Sequence, residues 1–280
     1  MVLAWTVVLL AWEMGFRLIG RDSFAFPAPS QVIDSFFDLA GLRTEFGAPL
    51  GSHWPMPAAG LHSANGEGGI TAIPLLSAPL ISGLRLLIGF TISIVVGIGL
   101  GLAMWRFKLV NSALGPLFLG LQTLPSVCWV PLAIVIFGLR ESGILFVLVM
   151  GSCFAIAISL RDGLRTIPPV YQKAGLMLGA SGWRMYRYIL LPASLPAMAS
   201  SLRQGFSFAW RSLMGAELMF IAVDRHGLGY LLELGRSFLD TAQVVAVMAI
   251  MISIGMLADR CVFAVLERRV HQRFGLVANS

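Results

Sequence analysis

Long apolar runs, each closed by polar or charged residues, set the rhythm of this chain. The first covers Val2–Ile19, with Glu13 and Arg17 near its far end, where long side chains reach a headgroup layer. Five more follow at about Ile81–Trp105, Ala113–Phe137, Ile144–Leu160, Ala197–Val223 and Thr241–Leu266. Roughly 20 apolar residues carry a helix through a bilayer, so the rhythm predicts an all-α integral membrane protein with six transmembrane helices. In the second run Gly89, Ser93, Gly97 and Gly101 recur at every fourth position, a face that lets another helix approach closely. In the third, Pro125 and Pro131 predict a kinked or partly unwound span, tolerated where protein or a polar cavity satisfies the freed backbone groups.

Between the runs the pattern changes. After FPAPSQVIDSFFDLAG opens at Pro29-Ser30, Val32, Phe36 and Leu39 share one side of a short amphipathic helix. Gly41–Thr71 is rich in Gly, Pro, His and Asn without an apolar period, and reads as a loop, as does DRHGLG at 224–229. The organisation expected is therefore a first transmembrane helix at 1–20, an extracytoplasmic segment at 21–78, a five-helix core at 79–266 and a tail at 267–280. The first residues lack a basic n-region and a small-residue cleavage site, and read as a retained span.

Composition agrees with the pattern: 57% of residues are hydrophobic and 12% charged, with a mean hydropathy of +0.83. A soluble domain carries about 25% charged residues. The net charge of +6 does not point to nucleic acid, because no Lys/Arg-rich run accompanies it. The charge is instead divided by side. The side of the termini and of the connections after the second and fourth runs, with the adjoining run ends, collects eleven basic and three acidic residues; the opposite side, counted in the same way, collects seven and ten. By the positive-inside rule both termini are cytoplasmic. Cys128, Cys153 and Cys261 lie in apolar surroundings and read as packing residues. No metal site is expected: His53, His62 and Glu67 share the external loop without a standard ligand spacing. All four histidines lie outside the spans, which argues against a membrane-embedded metalloenzyme.

One cytoplasmic stretch, residues 166–192, is punctuated by Gly, Pro and basic residues. Pro168-Pro169 suits a helix start with Thr166 as cap, and Val170, Ala174, Met177 and Leu178 mark an apolar face. Gly179 suits a left-handed helix end, a second short helix covers Gly182–Leu191, and Pro192 breaks the chain before the fifth span. Two short helices joined at a glycine elbow are expected on the cytoplasmic surface. On the residues alone they could hold headgroups through Arg184 and Arg187, or dock a partner.

The spacing Lys173-Ala174-Gly175, three residues, Gly179, nine residues, Ile189, one residue, Leu191-Pro192 resembles the cytoplasmic signature of ABC-importer permeases. That signature reads Glu-Ala-Ala, three residues, Gly, nine residues, Ile-x-Leu-Pro; Lys173 stands here in place of Glu and Gly175 in place of the second Ala. FPAPSQV, QTLPSVCWVPLAIVIFGL, AELMF and GLGYLL are similar to permeases for nitrate, sulfonate, taurine and bicarbonate. The resemblance implies a type I ABC-importer permease fold in a bacterial inner (plasma) membrane. Two copies would form a homodimer, two cytoplasmic ATPase subunits would dock under the elbows, and an extracytoplasmic substrate-binding protein would deliver a small anion. Lys173, Ala174, Gly175, Gly179, Ala180, Arg184, Ile189, Leu191 and Pro192 would then couple the ATPase to the spans. A phosphate-binding P-loop needs Gly-Lys-Ser/Thr, and the only lysines are Lys108 in RFKL and Lys173 in YQKA. The chain is therefore expected to be no enzyme and to bind no cofactor, leaving ATP and Mg to its partners.

Arg211, near the middle of the fifth span, should face a polar interior or a partner, because a central Arg costs about 2.5–3.5 kcal/mol in lipid. It could offer positive potential to a passing anion, or pair structurally with Glu217 or another acceptor. Gln122, Pro125, Trp129 and Ser152 are further pathway candidates whose alternative is helix packing. Phe206, Phe208 and Trp210 could gate or simply pack. The external turn Arg140-Glu141 and the loop residues Asp224 and Arg225 are candidate contacts for the binding protein, or solvated turns. A stand-alone secondary transporter or channel is the competing function. It should show internal repeats or several midplane carboxylates, and Glu217 is the one acid expected inside a span.

Overall fold

The computed structural model describes residues 12–14, 27–39, 74–221, 223 and 226–273. Nearly all of the first apolar run and all of the Gly41–Thr71 stretch lie outside them. The described residues are helical, with no strand among them. In chain order the helices are α1 (Pro29–Leu39), α2 (Pro74–Arg106), α3 (Lys108–Thr123), α4 (Val130–Phe137), α5 (Glu141–Arg165) and α6 (Pro169–Met177). A single turn, α7 (Trp183–Met185), leads through a π-helical turn at Tyr186–Leu190 into α8 (Leu191–Met219). Then come α9 (Leu228–Ser237), α10 (Thr241–Ala258), a second π-helical turn at Asp259–Phe263, and α11 (Ala264–Arg273).

Among the described residues three helices, Leu76–Arg106, Glu141–Arg165 and Thr241–Val270, are long and apolar enough to cross a membrane. A fourth crossing exists if α3 and the Ser126–Phe137 segment, bent by 105°, are one broken span. The bend follows from local chemistry. Leu124 is extended, since the ring of the following proline disfavours the helical region there, Pro125 is extended too, and Cys128 N–H closes a tight turn on the Pro125 carbonyl at 2.9 Å. Pro131 causes no break, because it occupies the first turn of α4, where no backbone N–H is needed. The fifth run forms α8, whose Arg203, Gln204, Arg211 and Glu217 leave it less apolar than the other spans.

The chain divides into two compact units. In the unit Arg85–Ala216 with Ile254–Ser280, α5 is the centre: 67% of its apolar window is buried, against 22% for α2. The small-residue stripe of α2 packs along α5 in parallel register, Gly89 on Leu148, Ser93 on Ser152, Gly97 on Ile156 and Gly101 on Leu160. At Gly101 a Cβ would lie 2.8 Å from the Ala157 carbonyl oxygen, so only glycine permits the approach. Against the opposite side α3 runs antiparallel, with Phe118 on Phe154 at 5.0 Å and Gly115 under Arg161. α8 is antiparallel to α5, and α10–α11 antiparallel to α8: Trp210 covers Gly255, Phe206 stacks on Phe263 at 4.5 Å, and Ser200 reaches Glu267. Taken in chain order, α2, α3, α5, α8 and α10–α11 thus alternate in direction, as an up-and-down path through a membrane demands. The outward face of α2 presents Leu87, Ile92 and Val95, which suits contact with lipid chains.

In the unit Met1–Leu84 with Glu217–Ser253, α1 begins where Ala28 N–H donates to Gln31 Oε1 at 3.0 Å and leaves Ile33, Phe36 and Phe37 exposed. α9 begins within DRHGLG at 224–229, which reads as a loop in the sequence, and continues through residues to which the sequence assigned no element. It ends in a Schellman turn with Leu239 in the left-handed region (φ +57) and Asp240 N–H bonded to the Gly235 carbonyl at 2.9 Å. Asp240 then caps α10 by accepting from Gln243 N–H at 3.0 Å, while Gln243 Nε2 donates to the Leu231 carbonyl at 3.1 Å.

Three further expectations need adjustment. α2 starts at Pro74 rather than Ile81. Thr166 does not cap α6; its hydroxyl donates backward to Gly163 O at 2.7 Å and so closes α5. Pro192 does not break the chain, since it sits in the first turn of α8 behind the wide π-helical turn, which relieves its missing N–H and the ring's clash with the preceding turn.

Candidate functional site

The 166–192 stretch forms the elbow its glycines predict. α6 ends in a Schellman motif: Gly179 is left-handed (φ +74), its N–H donates to the Leu176 carbonyl at 3.0 Å, and Ala180 N–H donates to the Gly175 carbonyl at 2.9 Å. Gly182 is left-handed too (φ +54), and the chain reverses into α7. The two arms close on each other at Gly175. A Cβ there would meet Met185 Sδ at 2.9 Å and collide with the Ile189 side chain. Gly175 and Ile189, both in the signature spacing, are therefore one contact. Lys173, Ala174, Gly179, Arg184 and Leu191 are exposed, whereas Ala180, Ile189 and Pro192 are half-buried.

The elbow is continuous with two packed helices. α5 enters it and α8 leaves it, and the pair is zipped antiparallel by Gly163 on Ala197, Ile156 on Gly205 and Gly151 on Ser212. Close packing along both helices makes them one stiff body on the elbow. This pairing is absent from the sequence reading; the alternation of small and large residues across the two runs is the signal that could have found it.

Arg211 lies on the exposed side of α8, where Nε donates to the Ser207 carbonyl at 3.0 Å and the guanidinium sits 4.7 Å from the centre of the half-buried Phe208 ring. It makes no ion pair among the described residues. Arg203, two turns earlier, is held by two carboxylates. Nε and Nη2 donate to Asp259 at 2.8 Å each and Nη1 to Glu267 at 2.7 Å. Phe206 is buried between Phe90 and Phe263, so it packs.

Of the remaining pathway candidates, Pro125 forms the bend and Gln122 is half-buried on α3. Trp129 packs edge-on to Phe146 at 6.5 Å and against Phe154 at 6.3 Å. Ser152 is fully buried with its hydroxyl 2.8 Å from that of Ser93. Among the candidate binding-protein contacts, Glu141 accepts two bonds from Arg85, at 2.7 and 2.6 Å, and Arg140 is exposed in the turn before α5. Asp224 and Arg225 lie outside the described residues.

Glu217, 2% exposed, is built into the start of α9. Ser82 Oγ lies 2.9 and 2.8 Å from its two oxygens, Gly229 N–H donates to Oε2 at 3.0 Å, and Leu228 N–H donates to Ser82 Oγ at 2.9 Å. A Cβ on Gly229 would press on Leu218 N at 2.9 Å, so the glycine lets this backbone close on the carboxylate. Ser82 and Gly229 were not foreseen as partners of Glu217.

Comparison with known proteins places these features in context. Residues 93–272 match the family described as "Binding-protein-dependent transport system inner membrane component". A putative ABC transporter permease of Methanocaldococcus jannaschii is 34% identical over 66% of this chain and 69% of its own length. The taurine transport system permease protein TauC of Escherichia coli is 27% identical over 94% of this chain and 86% of its own. The nitrate import permease protein NrtB of a Synechocystis strain is 30% identical over 66% of each chain. Among solved structures, inward-facing MetNI methionine ABC transporter aligns with a TM-score of 0.59 and 19% identity, covering 72% of this chain and 99% of that one. A further amino acid ABC transporter aligns at 0.58 and 16%, covering 70% and 93%. At these identities the structural likeness concerns the fold, which is that of ABC-importer permeases.

Proposed function

The chain belongs to the family of inner-membrane components of binding-protein-dependent transport systems, and we propose that it is the translocating subunit of an ATP-driven importer for a small anion. Two copies form the pathway, with both termini in the cytoplasm. Two ATPase subunits dock beneath the elbows, and an external binding protein delivers substrate to the opposite face. With no Gly-Lys-Ser/Thr in the sequence, nucleotide and its Mg are held by those ATPases. The substrate belongs to the class carried by the relatives, whose names give taurine, nitrate and bicarbonate.

The observation that carries this reading is the elbow's attachment. Nucleotide-driven closure of two ATPases reaches the spans only through a stiff connection, and α5 and α8 leave the elbow already locked to each other. Arg211 supplies the positive potential expected on an anion path. Its guanidinium faces away from its own subunit, at a depth where lipid would be costly, so a second copy or a watery passage covers it.

The test is Gly179→Pro. Proline cannot adopt a positive φ and lacks the N–H that closes the Schellman turn, so the elbow opens while the spans remain inserted. ATP-driven anion uptake by the complex in proteoliposomes should be lost with the permease still in the membrane. Undiminished uptake would remove the coupling role.

A further inference from the structure

The two faces of α6 differ in a way that defines the partner surface. Gly175 is buried against Met185 and Ile189, so that side of the helix is committed to the second arm. The other side carries Val170, Lys173, Leu176 and Met177 at helical spacing; Val170 is 62% exposed, Leu176 63% and Met177 88%. Lys173 therefore lies in the middle of an open apolar stripe. Residues 166–192 contain three basic side chains, Lys173, Arg184 and Arg187, and no Asp or Glu. All three are exposed, and none makes an ion pair among the described residues.

We infer that the ATPase cleft receiving α6 is apolar with a carboxylate placed opposite Lys173. The inference rests on the docking reading above and adds the chemistry of the contact. When the stripe enters a cleft, Val170, Leu176 and Met177 leave water and the ammonium between them goes too. Desolvating an ammonium without a counter-charge is strongly unfavourable, and the elbow has no acid of its own to offer. Arg184 and Arg187, on the second arm, extend the same positive field toward the rim, where they speed encounter with an acidic surface.

The experiment uses the purified permease–ATPase complex and variants Lys173→Arg, Lys173→Met and Lys173→Glu, with membrane insertion checked for each. ATPase affinity is measured by titrating the ATPase back onto permease in lipid nanodiscs at low and high salt. Lys173→Glu should weaken binding by roughly 100-fold, Lys173→Met by less, and Lys173→Arg little. A Lys substitution of the facing ATPase carboxylate should restore Lys173→Glu. Equal or tighter binding of Lys173→Glu would overturn the inference while leaving docking intact. If wild-type permease retains no ATPase, the docking reading fails and the inference with it. Shielding of a Lys173→Cys thiol by phosphatidylglycerol alone, unchanged when ATPase is added, would place the stripe on lipid and also overturn it.

Discussion

Arg203 and Arg211 sit on the same helix, eight residues apart, and have opposite fates. Arg203 is held by Asp259 and Glu267, with Ser200 bracing Glu267 at 2.9 Å. Among the described residues Arg211 meets its own helix, through the Ser207 carbonyl and the Phe208 ring. The difference comes from the neighbouring helix. Two α-helical turns take about 7.2 residues, and a π-helical turn adds about one. The wide turn at Asp259–Phe263 therefore brings Asp259 and Glu267, eight residues apart, onto one side, where both reach the same guanidinium. Among the described residues no comparable pair of acids stands opposite Arg211. A cation already paired with two carboxylates is a structural fastener; one left with a carbonyl and a ring has its charge uncompensated by these contacts.

This contrast can be broken from either end. The largest effect is expected for Arg203→Ala, which leaves two carboxylates facing each other without a cation. Stability in detergent should fall by about 2 kcal/mol, moderated by the partial exposure of all three groups, and thermal unfolding of the purified permease reads it. Next is Arg211→Gln, for which anion uptake at limiting substrate should drop about tenfold while thermal stability stays near wild type. Unchanged uptake would make Arg211 another packing residue and erase the distinction. Smallest is Asp259→Asn. Glu267 keeps its bond to Arg203, so a loss of about 1 kcal/mol is expected, with uptake preserved.

The two helix corners at Gly179 and Leu239 show why some features were legible and others were not. Both are Schellman turns with the same pair of backbone bonds. At Gly179 the residue type announces the left-handed conformation, and the elbow could be placed from sequence. At Leu239 a leucine adopts it (φ +57), so nothing local marked the end of α9. Gly227-Leu228-Gly229 read as a turn, yet these glycines let the backbone close on Glu217, whose partner Ser82 lies 135 residues away in sequence. The α2 stripe was legible because its spacing repeats every turn; the pairing of Arg203 was not, because no one-dimensional pattern carries the register of α8 against α10.

What the sequence determined was everything that depends on neighbours along the chain. Apolar length marked the three long helices and the bent fourth segment found among the described residues, charge asymmetry set an expected orientation, and glycine and proline set the elbow and the bend in the third span. What only tertiary structure decided was which polar groups are spent inside the subunit. Burial and long-range pairing committed Glu217, Arg203 and Glu141, and left Lys173 and Arg211 outward. The reason is that a side chain's electrostatic role depends on which opposite charge or donor lies within about 3 Å, and that distance is fixed by how helices pack rather than by their order.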